Sequence, residues 1–385
     1  MKRLLLSLTT VIGCPLVAQQ PPDSAKQPPA SVSPPERTSL DFSGVLFANF
    51  QYRGDKGAKS QNKFDLERAY LTFRMPVGER GALRVTLDVF QHPASATDNS
   101  YNGWIIRAKY AYLQWKFLES MGWTGAIRGG LIQNVVIDQV ESFWPRWLSQ
   151  TAIERAGFFS SSDAGVGTLI GFPNKLGEFY ATVVNGPGYT AREADRFKDF
   201  AARITFTPLS ASDNRLMKSF ALSAWSYLGA VGSAFAAGGA GQIGEVGSAL
   251  PRRRSGIFAG IRDPRLSAGA EWAIRRDASE SGANTVAQPR VEVDSSGRLL
   301  SAFTYFKPFQ LVNSASKSPF GMVARWDRFK PNTSQTGYVN TVISGLTFDL
   351  NANAAISLDY QEQTPHYGAA VIPSKTYFFH LIANF

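Results

Sequence analysis

The chain has 385 residues, with 40 Lys+Arg against 30 Asp+Glu and a formal net charge of +10. Charged residues make up 18% of it, below the roughly 25% of ordinary soluble domains, while aromatics reach 12%. Three His and one Cys leave little room for a zinc cluster, a disulfide framework or a cysteine redox pair, and the composition is not that of a disordered chain.

Lys2 and Arg3 precede the apolar run Leu4–Gly13, which leads into Pro15, Leu16, Val17 and Ala18. This is the layout of a secretory signal peptide over residues 1–18, too short to span a bilayer as a helix. Cleavage after Ala18 is the preferred reading. Lipoprotein processing at Cys14 is the alternative, but Pro15 follows it directly. Removing 1–18 takes away Lys2 and Arg3 and no acidic residue, leaving +8. Residues 19–37 hold six prolines without a periodic apolar face, which predicts an extended tether, and folded structure is expected over 38–385.

From there the hydrophobic period is two. In Leu40–Tyr52 the even positions Leu40, Phe42, Leu46, Ala48, Phe50 and Tyr52 are apolar or aromatic, and the odd face carries Asp41, Ser43, Asn49 and Gln51. Phe64–Met75 follows, its apolar phase slipping from Phe64 and Leu66 to Ala69, Leu71, Phe73 and Met75. A bulge at Glu67–Arg68 explains the slip, and so does a strand buried on both faces. Gly81–Gln91 alternates clearly, with Leu83, Val85, Leu87 and Val89 opposite Arg84, Thr86 and Asp88. Further strands are predicted at Gly103–Phe117, Thr124–Leu131, Gly165–Phe172, Glu178–Asn185, Phe200–Thr207 and Lys218–Leu228. The rest are Ser255–Arg262, Arg265–Arg275, Arg298–Lys307, Phe320–Phe329, Tyr338–Leu350, Ala352–Glu362 and Ser374–Phe385.

Sixteen strands with connections of two kinds result. Pro76–Gly81, Leu118–Trp123 and Pro208–Asn214 are short; 92–102, 132–163, 187–197, 229–254 and 276–297 are long. The predicted fold is therefore all-β, a transmembrane antiparallel β-barrel with short periplasmic turns and long extracellular loops. A soluble β-sandwich or propeller is the competing fold, but its exterior should carry Lys and Glu. The charge-free stretch 219–244 could span as a helix; its six glycines favour a strand running into a Gly/Ala loop.

The last strand reads YFFHLIANF and ends on Phe385. It resembles the C-terminal signature of bacterial outer-membrane proteins, which implies the barrel assembly machinery as a partner. The body resembles the phosphate-selective porin O and P family over FDLERAYLTFRMPVGERGALRVTLDVF at 64–90, the RGGLIQ to GTLIGF region at 128–172, and ARWDRF to DYQEQ at 324–363. The resemblance implies a 16-stranded, generally trimeric outer-membrane channel whose basic residues attract anions. No dense arginine ladder or lysine cluster matches a phosphate site residue by residue, so the expectation is a general porin with mild anion preference.

A porin needs no cofactor and no metal; its partners are small hydrophilic solutes or anions, outer-membrane lipid and lipopolysaccharide. The pore-lining candidates are Arg84, Arg107, Lys109, Arg128, Arg203, Arg275, Arg325 and Arg328. Asp65, Glu67, Asp88 and Asp327 could pair with them and merely organise the wall. The 132–163 loop mixes Asp138, Glu141, Arg146, Glu154 and Arg155 with Phe143, Trp144 and Trp147. It is the constriction-loop candidate, with the extracellular rim or a subunit contact as its alternatives. Arg252, Arg253 and Arg254 are expected at the membrane face or channel mouth rather than on nucleic acid. Trp104, Tyr110, Tyr112, Trp115, Phe117, Tyr377 and Phe379 suit interfacial girdles. His92, His366 and His380 come without a nucleophile elbow or an HExxH motif, so no enzyme is expected. The competing function is a non-conducting structural or adhesin-type barrel.

Overall fold

A computed structural model describes residues 39–55, 60–91, 103–193, 195–232, 249–281, 291–367 and 372–385. The predicted signal peptide and tether, and His92, lie outside the described residues.

Sixteen strands form: β1 Asp41–Arg53, β2 Gln61–Val77, β3 Gly81–Gln91, β4 Trp104–Ser120, β5 Trp123–Gln133, β6 Ser162–Gly171, β7 Gly177–Val184 and β8 Asp199–Phe206. They continue with β9 Ala221–Gly232, β10 Ala249–Asp263, β11 Leu266–Ser281, β12 Val291–Phe306, β13 Phe320–Lys330, β14 Tyr338–Asp349, β15 Ala354–His366 and β16 Ser374–Asn384. Each pairs antiparallel with its sequence neighbours, and β1 pairs with β16 from Val45↔Asn384 to Arg53↔Thr376, closing the barrel. Closure leaves no row of unpaired backbone groups for hydrocarbon to meet. Four short helices lie in the connections: α1 Ile137–Glu141, α2 Ala152–Arg155, α3 Arg215–Lys218 and α4 Pro308–Val312. No helix among the described residues is long and apolar enough to cross a membrane.

Alternation turns the apolar residues outward. Along β9 the buried Ala221, Ser223, Trp225 and Tyr227 alternate with the exposed Leu222, Ala224, Ser226 and Leu228. Ile106 and Leu358 are 64% and 63% exposed on the outer wall. Water would disfavour such a surface; a hydrocarbon surround requires it. The competing soluble fold has the opposite polarity.

Register irregularities keep that polarity. Phe47 pairs with Arg68 and Ala48 with Leu66, so Glu67 is an extra residue in β2. The bulge holds Phe64 and Leu66 outward before it, and Leu71 and Phe73 outward after it. A second irregularity passes over Lys109, since Thr86 pairs with Tyr110 and Leu87 with Ala108.

Several predicted boundaries move. Residues 276–281 and 291–297, expected within a loop, extend β11 and β12, and β10 starts at Ala249 rather than Ser255. Lys218 closes α3 instead of opening a strand, because the Asn214 side chain accepts from the Leu216 and Met217 amides and starts a helical turn. The 207–220 and 307–319 connections, at the end otherwise closed by tight turns, are therefore longer than a short-turn rule allows. The predicted Gly/Ala loop after β9 falls at 233–248, outside the described residues.

Candidate functional site

The segment 134–161 joins β5 to β6 and carries α1 and α2. Asn134 Oδ1 accepts from the Val136 amide at 2.8 Å, and Thr151 Oγ1 from that of Glu154 at 3.3 Å, which starts the two helical turns. The segment then touches the wall in every direction. Tyr110 on β4 donates to Asp138 at 2.7 Å, Gln139 reaches Thr205 on β8 at 3.1 Å, and Phe143 packs on Phe258 of β10 with centroids 4.9 Å apart. Trp144 meets Phe303 of β12 at 5.4 Å, Gln361 of β15 donates to the Leu148 carbonyl at 2.9 Å, and Trp147 lies edge-on to His380 of β16. A segment in contact with strands on all sides of a closed barrel lies inside it.

Its apolar side forms a core within the lumen. Ile137, Val140, Trp144, Leu148, Ile153 and Phe158 pack with inner-wall residues of β7 to β14, among them Trp225, Tyr227, Phe258, Phe303, Val323 and Ile343. The indole N–H of Trp144 is satisfied by the Ser149 carbonyl at 2.8 Å. This half of the lumen is thus occupied by an apolar core.

The polar side faces β2 to β4. Arg146 lies 3.1 Å from Glu141 and 3.6 Å from both Glu154 and Glu67. Burial works against the Arg146 charge, yet Glu154, Glu141 and Glu67 around it raise its pKa. Burial pushes the Glu141 carboxyl up to about 7, against the pull of Lys109 and Arg146, with Asp138 and Glu154 adding to the rise. Arg155 points elsewhere, beside Arg325 and Asp327; burial, then the Arg325 charge, lowers it to about 10. Asp138, Glu141, Arg146 and Glu154 thus meet in one cluster, and Arg155 does not join them.

The wall candidates divide into three groups. Arg84, Arg107, Lys109 and Arg128 point inward from β3, β4 and β5. Arg84 lies on the Tyr110 ring at 4.5 Å, Lys109 on the Tyr70 ring at 4.2 Å, and Arg128 Nε donates to Gln114 at 2.8 Å. Arg107 reaches the fully buried Asp88 at 2.9 Å and Tyr189 at 3.1 Å. Arg203, Arg275 and Arg325 point inward too, but their guanidiniums are engaged. Arg203 pairs with Glu178, Arg275 donates to the Ala156 carbonyl at 3.0 Å, and Arg325 pairs with Asp327 at 2.7 Å and reaches Ser149. The last two hold the inserted segment.

Arg328 is a correction. It lies on the outer wall, bonded to Asn340 at 3.0 Å and over the Tyr338 ring at 4.7 Å. It lies three positions on from the inward Arg325, and an odd step along a strand reverses the face. Tyr110 and Tyr112 are a second correction: both are buried on the inner wall, not in a girdle. The extra residue at Lys109 shifts the phase, so Lys109 and Tyr110 both turn inward. Trp104, Trp115, Phe117, Tyr377 and Phe379 do face outward.

Of the Arg252–Arg254 run, Arg254 turns inward and grips Asp277 at 2.9 Å, while Arg253 is exposed. Arg252 and Arg254 line a cavity of about 270 Å³ with Asp199 and Tyr227 near the long-loop end. His366 stacks on Tyr338 at 4.3 Å. His380 lies 3.3 Å from Asp359, to which Ser357 also donates at 3.0 Å. Arg68 and Arg74, also inward on β2, were not singled out by sequence reasoning. The phase slip at Glu67–Arg68 is the signal that would have turned both toward the lumen.

Two further cavities lie on the side opposite the apolar core. One of about 740 Å³ at the long-loop end is lined by Gln51, Arg53 and 60–63, and one of about 370 Å³ at the short-turn end by Asp41, Arg74, Arg84, Tyr112 and Gln114. Both sit along β1 to β4.

No protein-family model matches the chain, and no curated protein matches it by sequence. Solved structures match by fold. The outer-membrane channel DcaP of Acinetobacter baumannii superposes with a TM-score of 0.58 at 11% identity, over 90% of this chain and 97% of that one. An anion-selective porin from Comamonas acidovorans gives 0.57 at 10% identity, over 91% and 100%. OmpF of Salmonella typhi gives 0.57 at 13% identity, over 90% and 98%. The fold is that of outer-membrane channels.

Proposed function

We propose that this chain is an outer-membrane porin through which small hydrophilic solutes diffuse passively, with a mild preference for anions. One observation carries the reading. The apolar core fills the lumen along β7 to β14, and the cavities at the two ends align on the opposite side, where Arg68, Arg74, Arg84, Arg107, Lys109 and Arg128 project from β2 to β5. A narrow, low-dielectric passage focuses the field of its wall charges, so a basic wall concentrates anions. The inserted segment is the proposed constriction, and Asp138, Glu141, Arg146 and Glu154 form its polar lip. No step requires a catalytic group, a metal or a cofactor.

Export by a signal peptide at 1–18, insertion by the barrel assembly machinery through β16, a homotrimeric state, and lipid with lipopolysaccharide around the outer wall complete the proposal. The likeness in fold to an anion-selective porin of Comamonas acidovorans supports anion preference, and the sequence resemblance to the phosphate-selective porin O and P family makes phosphate the first solute to test. The test is conductance of the folded protein in planar bilayers. Stable ohmic steps with a reversal potential favouring anions are expected; correctly folded barrels that never conduct overturn the proposal. The second reading, a non-conducting structural or adhesin-type barrel, draws on the inserted segment's contacts around the whole wall, and that silent outcome would select it.

A further inference from the structure

Like-charged neighbours on the inner wall are treated differently at the two ends of the barrel. Toward the long loops Arg254 stands opposite Arg275, and Asp277 lies 2.9 Å from the first and 4.0 Å from the second. Arg68 and Arg107 likewise converge on Asp88, at 3.3 and 2.9 Å. Each time the chain supplies a carboxylate between two guanidiniums.

Toward the short turns it does not. Arg74 and Arg84 are direct cross-strand partners on β2 and β3, a placement that repels unless a counter-charge is present. Arg74 has an exposed contact with Asp41 at 3.7 Å, of the kind worth little in water. The Arg84 guanidinium rests on the Thr86 hydroxyl at 3.2 Å and over the Tyr110 ring, both uncharged. Among the described residues no carboxylate lies within 4.0 Å of Arg84. In front of the pair is the cavity of about 370 Å³, where the Tyr112 and Gln114 side chains add polar groups and the Asp41 carboxylate, itself largely exposed, stands at the Arg74 edge.

We propose that this cavity binds a small oxyanion, carboxylate or phosphate, that bridges Arg74 and Arg84 at the short-turn exit of the lumen. Guanidinium forks match the paired oxygens of either group, and the volume admits such an ion with part of its water. The anion takes the position that Asp277 and Asp88 hold at the other two pairs. The inference rests on the porin reading for the route of the solute, and on the wall geometry for its binding.

The experiment titrates inorganic phosphate, and separately acetate, into the folded protein in detergent and follows binding by calorimetry. Binding of either ion to wild type is expected, and which one binds more tightly identifies the class. Arg84→Gln should weaken it at least about tenfold, the loss of one charge-assisted contact, and Arg74→Gln should weaken it in the same direction. Arg84→Lys should bind between the two, because charge remains without the fork. Arg328→Gln, on the outer wall, should bind as wild type does. Arg74 and Arg84 are not buried, so both variants should fold, checked by heat-modifiable gel mobility. Wild-type affinity in Arg84→Gln and Arg74→Gln, or no binding of either ion to wild type, overturns the site. Anion-selective conductance without such binding removes this site and leaves the porin reading, whereas binding by a barrel that does not conduct supports the site and removes that reading.

Discussion

The ring of Phe385 lies over Gly44, so closely that a Cβ at Gly44 has no room. The same two residues exchange backbone hydrogen bonds, 2.7 Å from Gly44 N to Phe385 O and 3.0 Å in return. Phe42 packs on Phe385 from one side and on Phe73 from the other. The seam between β1 and β16 is thus closed on its outer face by an aromatic group that needs a glycine beneath it.

Gly44→Val should force Phe385 off its seat and cost about 1 kcal/mol, the low end of overpacking penalties, because the displaced ring is largely exposed. Urea titration of folded barrels reads the loss. Phe385→Ala in the same chain should recover part of it, since the two residues share one contact. Equal losses in the single and double variants would show that the ring is not what Gly44 accommodates.

Glu141 gives the lumen a pH dependence. Its carboxyl, raised by burial to about 7, gains a proton as pH falls through that value, leaving Arg146 and Lys109 less balanced. Anion preference should therefore rise as pH falls through about 7, and Glu141→Gln should flatten that step. Reversal potentials on either side of that pH measure it. For stability the sign is opposite to that of a salt-bridged acid. Between about 4.5 and about 7 the native state holds a proton that the unfolded chain has released, so stability falls as pH rises across that window.

Inward and outward arginines should separate in selectivity. Replacing Arg107 and Lys109 together by Gln should move the reversal potential toward cations, and Arg328→Gln should leave it unchanged. The Arg107 replacement alone should already move it toward cations, because the Arg68–Asp88–Arg107 group then loses its net positive charge. A shift from Arg328→Gln as large as that of the inner pair would argue against an inner-wall origin of selectivity.

The inserted segment is held by packing. Trp144, 1% exposed, sits against Phe303 and Arg325, and Trp144→Ala should cost about 3–5 kcal/mol of local stability. The loosened segment should give larger and noisier conductance steps than wild type. Unchanged steps would mean that the segment does not limit flow.

Strand number and polarity were legible because alternation is a local property. Each predicted segment contains a strand, from the Leu40–Tyr52 pattern to the last, since a period of two with apolar groups on one face admits little else. The slip at Glu67 was visible because the apolar residues themselves change phase there. The one at Lys109 was not, for Lys109 and Tyr110 can each face a lumen, and nothing nearby marks which of them is extra. Arg328 was misplaced for a simpler reason, an odd step from Arg325 that a count along β13 would have resolved.

The amino-acid sequence by itself thus determined a sixteen-stranded barrel with an apolar exterior. Tertiary structure alone decided what occupies the lumen: the path of 134–161, its core against β7 to β14, and the pairing of each inner charge. Those contacts join residues such as Arg325 and Ser149, or Trp147 and His380, that lie far apart in the chain. Their energies depend on separation across the lumen, which closure of β1 on β16 sets and no local pattern encodes.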